Sequence, residues 1–178
     1  MGRGTNGIAR LEVLDPAGKP RLVSELWRDA PAVIAFTRHF GCLLCHEQVK
    51  ELKEALPQIE ERGARLRVIG SGNPHHAGWF AERMRLAGAV FTDPARVAYR
   101  ALGLKHGILR SVGPRTFGNA LRAFNGGHRP ATTQGDPWQQ GGTLVVSQAG
   151  DLEYLHRSEV AGDHAPIADV LAALARRS

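Results

Sequence analysis

The run Ala32-Val33-Ile34-Ala35-Phe36 constrains this chain more than any other. Five consecutive apolar residues leave no polar face, so a strand built from them has to be covered on both sides, as in a sheet with helices on each face. The sequence after it has the helical period. Val49, Leu52, Leu56 and Ile59 recur at spacings of three and four, with Glu and Lys between them. Pro57 lacks an N–H and is expected to kink this helix, and Gly63 to end it. Leu66-Arg67-Val68-Ile69-Gly70 then reads as another strand. Strand–helix–strand of this length implies a parallel pair joined by a right-handed crossover.

The alternation extends in both directions. Residues 9–14 read as a first strand closed by the turn Asp15-Pro16-Ala17-Gly18, and Leu22-Val23 as a short second one. Ser24 can open a turn of helix through Trp27, which is expected to pack beneath it. Downstream, Pro74–Leu86 predicts a helix, Ala89–Thr92 a strand and Pro94–Leu102 a helix. The pattern breaks from about 103 to 142. A hairpin (143–147 with 152–156) and a helix, Pro166–Ala175, complete the chain. The class is α/β. With 178 residues there is room for one domain with a buried core, residues 1–178, and too little for two of usual size.

The formal charge is +6, and it is unevenly placed. No acidic residue lies between Asp93 and Asp136, whereas Arg96, Arg100, Lys105, Arg110, Arg115, Arg122 and Arg129 do. Two apolar stripes run through this insert: Leu104, Ile108 and Leu109, then Phe117, Leu121 and Phe124. The plainest reading is a helical flap with a solvated basic face. A functional reading is docking to an anionic partner or membrane surface, with the cysteines vestigial. Nucleic acid is not expected, since no aromatic platform or groove-reading motif accompanies the charge. Apolar runs are too short to span a bilayer, and Met1–Asn6 lacks a secretory pattern, so the expected compartment is cytoplasmic.

The chain has two cysteines, Cys42 and Cys45, placed where the apolar strand gives way to the helix. A bond between them closes so small a loop that it constrains the unfolded chain little, so the pair needs a chemical reason to exist. At a helix N-terminus the free N–H groups favour a thiolate, the reactive form of cysteine. Two intervening residues bring both sulfurs within one turn, so a disulfide can form and reopen without remodelling the fold. Arg38, His39 and His46 can add positive potential. The sulfurs are expected to be exposed to outside molecules.

With this motif in its strand-to-helix setting, the order of elements resembles a thioredoxin fold: a mixed central sheet with helices on both faces and a basic insert before the last hairpin. In detail the chain is similar to the alkyl hydroperoxide reductase/thiol-specific antioxidant family, in its peroxiredoxin-like branch with a CxxC. The matching pieces are Leu11–Lys19, Phe36–His46, Gly142–Val146 and the closing helix.

The resemblance implies an oxidoreductase that reduces a peroxide or a disulfide, with antioxidant character. It needs no resident cofactor, since an external thiol such as thioredoxin or glutathione resets the pair, and a homo-oligomer is compatible with it. Cys42 and Cys45 are the implied catalytic residues. The thioredoxin pattern makes Cys42 the nucleophile and Cys45 the resolver, while the peroxiredoxin alignment gives Cys45 the first attack. The first cysteine of such a pair is usually nearer solvent, which favours Cys42. Thr37, Arg38, His39, Phe40 and His46 are candidates for tuning the thiolate or lining the site. Trp138 is a candidate pocket wall, and Gly142 and Thr143 start a late strand facing the motif. A biosynthetic reductase of a specialised endoperoxide or disulfide is a further reading.

Two rival chemistries share these residues. Cys42-Leu43-Leu44-Cys45-His46 matches the C-x-x-C-H of haem attachment, but Met84 is the only internal methionine and the surroundings are α/β. Zinc needs about four ligands, and the His residues near the cysteines lack H-x₃₋₅-H spacing. No metal is expected.

Overall fold

The computed structural model describes residues 5–107 and 134–176. Among the described residues, seven strands form one sheet in the order β2-β1-β5-β4-β3-β6-β7. β3, Ala32–Phe36, lies inside it, parallel to β4 (Arg65–Gly70) and antiparallel to β6 (Gly142–Val146). β4 is in turn parallel to β5, Val90–Thr92. β1 (Glu12–Leu14) and β2 (Pro20–Leu22) extend one side, and β7, Leu152–Arg157, closes the other.

The apolar run of β3 is explained by the two cores it serves. Val33 and Ala35 join Val49, Leu52, Ile59, Val68 and Phe80 on one face. Ala32, Ile34 and Phe36 join Ile8, Val13, Trp27, Ile69 and Tyr99 on the other. Every residue of this strand is fully buried, and each large side chain contributes about 1.5–3 kcal/mol by leaving water.

The first face is covered by α2 (Leu43–Glu54), α3 (Leu56–Glu61), α4 (Pro74–Met84) and the last helix, α6 (Ile167–Ala175). The second carries α1 (Asn6–Ala9), a 3-10 turn at Val23–Leu26 and α5 (Val97–Ala101). Pro57 divides the long predicted helix into α2 and α3 at Ala55, because it has no N–H to give to the carbonyl four residues earlier.

Two expectations need correction. The first strand starts at Glu12, not residue 9, because residues 6–9 close a helical turn in which the Ile8 and Ala9 amides bond to Thr5 O, each at 2.9 Å. That turn sinks Ile8 beside Trp27, a burial the alternating pattern does not reveal. Trp79 and Phe80, on one predicted helix, both read as core residues; Phe80 is fully buried, but Trp79 is half-buried and packs at the edge of the core, with the Arg83 guanidinium over its ring. Most of the basic insert, including Ile108, Leu109, Arg110, Arg115, Phe117, Leu121, Arg122, Phe124 and Arg129, falls outside the described residues. Within them, Arg96 pairs with Asp136 and Lys105 with Glu159, so part of the basic charge is balanced locally.

Candidate active site

Beyond Phe36 the chain leaves the sheet through Thr37-Arg38-His39-Phe40-Gly41 and enters α2 with Cys42 as its N-cap. Three contacts set the shape of this passage. Phe40 is fully buried, 5.2 Å from the Phe80 ring, and lies so close to Gly70 that a Cβ there would be 2.3 Å from the ring. The Phe40 carbonyl accepts a hydrogen bond from His46 Nε2 at 2.7 Å, so that nitrogen carries the proton. Buried Tyr99 sends its hydroxyl to the carbonyls of Thr37 (2.7 Å) and Ile69 (3.0 Å), tying β3 to β4 below the motif.

The two sulfurs sit in unlike surroundings. Cys42 Sγ lies 3.8 Å from Nη1 of Arg38. Its thiol is pushed down to about 6, mainly because Cys45 gives it a hydrogen bond; burial opposes this, and the Arg38 charge and the N–H groups of Cys45 and Leu44 add to it. Cys45 is pushed well up by burial, by holding the proton it donates to Cys42 and by its neighbour's charge. It also accepts the Arg38 amide at 3.3 Å. One proton is thus shared by the pair and rests on Cys45. His39 is pushed down to about 4 by burial and by the nearby charge of Arg38 and His46, so it is neutral at pH 7 and adds no positive potential.

Contrary to the sequence expectation, the sulfurs are not openly exposed. Cys42 is 6% and Cys45 3% accessible, packed with Leu44 and Ala161. A crevice of about 10 Å³, room for about one water, reaches Cys45 between Arg38, Leu44, Gln48, Gly141 and His164. Ala161 packs on the cysteines, and residues 134–141 fold against the passage that leads into them. Phe40 N–H bonds to Gln134 O at 3.1 Å, and Gly141 lies so close to the Phe36 carbonyl that a Cβ would be 2.3 Å from it. The much larger cleft, about 400 Å³ by Asp15, Arg21, Arg67 and Phe91, is lined by none of the motif residues.

The structure brings Thr37, Arg38, His39, Phe40, Cys42, Cys45 and His46 together. Thr143 reaches this region indirectly, its hydroxyl accepting Gln48 Nε2 at 3.0 Å, and Gly142 pairs with Phe36. Trp138 does not line the crevice; its carbonyl takes the Gly107 amide at 3.0 Å. Sequence reasoning missed Gln48, Ser71, Tyr99, Asp136 and Gly141. Gln48 had a readable signal, one helical turn beyond Cys45, whereas the others arrive only through long-range folding. Among the described residues no group of three or more His, Cys, Asp or Glu could hold a metal ion, and no helix is long and apolar enough to cross a membrane.

Residues 51–160 match the family described as AhpC/TSA antioxidant enzyme. The chain belongs to this family. It is therefore a thiol-dependent oxidoreductase with a peroxiredoxin-like, thioredoxin-type fold. It is 35% identical over 175 residues to Peroxiredoxin-like 2C of Bos taurus, covering 92% of this chain and 76% of that one. It is 31% identical over 165 residues to a prostamide/prostaglandin F synthase of Salmo salar, covering 89% and 81%. Its fold matches the crystal structure of Peroxidoxin BcpB from Mycobacterium tuberculosis with a TM-score of 0.68 at 20% identity, over 94% and 93% of the two chains. The family match begins at residue 51, beyond both cysteines.

Proposed function

We propose that this protein reduces a peroxide or a disulfide with the Cys42–Cys45 dithiol, Cys42 attacking first and Cys45 resolving. The observation that carries this reading is the unequal pair: a thiolate-favouring Cys42 beside Arg38 and a protonated Cys45 in contact with it. With a hydroperoxide, the Cys42 thiolate takes the terminal oxygen and the O–O bond breaks, leaving a sulfenic acid and an alkoxide. The alkoxide takes a proton from Cys45 and leaves as an alcohol. The Cys45 thiolate then attacks the Cys42 sulfur and expels hydroxide, which leaves as water after protonation by solvent. An external thiol donor, such as thioredoxin or glutathione, returns two electrons and two protons to the disulfide. The narrow crevice reaches Cys45 and is not lined by Cys42, so the site has to open before any peroxide larger than water reaches the Cys42 sulfur.

A second reading has one supporting observation, the name of the prostamide/prostaglandin F synthase relative. Two-electron delivery to a cyclic peroxide by the same dithiol breaks its O–O bond, yields two hydroxyls and leaves the disulfide. Steady-state assays separate these readings. Hydrogen peroxide, an alkyl hydroperoxide, a disulfide and an endoperoxide are each offered with a thioredoxin or glutathione donor system. Turnover is expected to vanish in Cys42→Ser and to fall sharply in Cys45→Ser. Equal turnover in both variants and the wild type refutes the dithiol mechanism for every substrate.

A further inference from the structure

The guanidinium of Arg38 has three acceptors. Nη1 meets Cys42 Sγ at 3.8 Å, Nε meets Gln139 O at 3.2 Å and Nη2 meets Pro137 O. No carboxylate among the described residues pairs with it. Its aim at the sulfur is therefore set by two backbone carbonyls, and these belong to residues 134–141, a stretch outside helix and strand that leads into β6. Asp136 holds that segment. One carboxylate oxygen accepts the Trp138 amide at 2.8 Å, and the other takes Arg96 and His106 Nε2, the latter at 3.1 Å. Ser71 closes the ring: its hydroxyl donates to Arg38 O at 2.6 Å and accepts the Asp136 amide at 3.0 Å.

We propose that Asp136 and Ser71 are positioning residues for the reactive sulfur, keeping residues 137–139 in the shape that holds the Arg38 guanidinium on Cys42. This rests on the reading of Cys42 as the attacking thiolate. The arrangement makes an unusual demand on sign. Taken only as a negative charge, Asp136 opposes ionisation of Cys42, and its removal favours the thiolate. Taken as the support of Arg38, its removal releases the cation and disfavours the thiolate. The other groups facing Cys42 are the Cys45 thiol and the Leu44 and Cys45 amides, with His39 and His46 nearby. None of these depends on Asp136 for its bonds.

The test is the pH dependence of iodoacetamide alkylation of Cys42 in the reduced full chain, with the modified cysteine identified by peptide mass spectrometry. Asp136→Ala is expected to raise the Cys42 midpoint by about one unit, the lower end of what an adjacent opposite charge does. Ser71→Ala, which changes no charge, is expected to raise it by less. In an Arg38→Met background, Asp136→Ala is expected to raise it no further. A wild-type midpoint near 6 that falls or stays put in Asp136→Ala overturns the proposal, and an unchanged midpoint in Ser71→Ala overturns the share of Ser71. Should Asp136→Ala fail to fold, Ser71→Ala decides alone. A wild-type midpoint at the ordinary thiol value overturns the reading of Cys42 itself, and this inference with it.

Discussion

Replacing Cys45 by Ala is expected to make Cys42 a weaker nucleophile even though Cys42 itself is untouched. The shift of Cys42 from 9.0 to about 6 is three units, or about 4 kcal/mol in favour of the thiolate. Its largest source is the hydrogen bond from Cys45, and a bond to a charged acceptor contributes about 1.5–3 kcal/mol, or about one to two units. In Cys45→Ala the midpoint should therefore rise to about 7–8, and the ionised fraction at pH 7 should fall from about nine-tenths to between about one-half and one-tenth. Cys45→Ser keeps a donor at the same place, so its midpoint should stay nearer the wild type. In both variants Cys42 is the only cysteine of the chain, so thiolate ultraviolet absorbance against pH reports on it alone. An unchanged midpoint in Cys45→Ala, or identical midpoints for Ala and Ser, refutes the shared-proton reasoning.

Gly70→Ala drives a methyl into the Phe40 ring, 2.3 Å away, and is expected to cost about 1–3 kcal/mol in urea unfolding while slowing Cys42 alkylation. His39 is held neutral in the fold, pushed from 6.5 down to about 4, so its contribution is present above 6.5 and lost as pH falls toward 4. That is about 3 kcal/mol over the window, and urea midpoints should fall less steeply with acid in His39→Asn. Cys42 is likewise depressed, so in the reduced protein its stabilisation is complete above 9 and disappears as pH falls to about 6. Cys42→Ser should flatten the rise of stability across that range. Cys45, shifted the other way, contributes stability below 9 that is lost at higher pH, so the rise should not continue past that point.

Much of the architecture is legible in the sequence because single elements carry their own signals. Five apolar residues make β3 a strand with two covered faces, Pro57 marks the break between α2 and α3, and the cysteine pair marks the start of α2. The surroundings of the sulfurs are not legible, because they are assembled across large sequence separations. Arg38 meets Gln139, 101 residues away, and Tyr99 meets Thr37, 62 residues away. No local period predicts that residues 134–141 fold against the passage into the motif or that Ala161 packs on both cysteines, nor that His39, a positive charge on paper, sits neutral. The N-terminal turn is hidden for a related reason: Ala9 alternates with Leu11 and Val13 as well as it fits a helical turn, and it is the burial of Ile8 in the core with Trp27 that goes with the turn.

The most direct measurement is the mass of the reduced protein, and of its proteolytic peptides, after a brief exposure to one equivalent of hydrogen peroxide. Loss of two hydrogens, with a crosslink between Cys42 and Cys45 that a thiol donor reverses, is the predicted result. An unchanged mass, or a stable oxygen addition on either sulfur with no crosslink, contradicts the claim that these two buried cysteines form one redox pair.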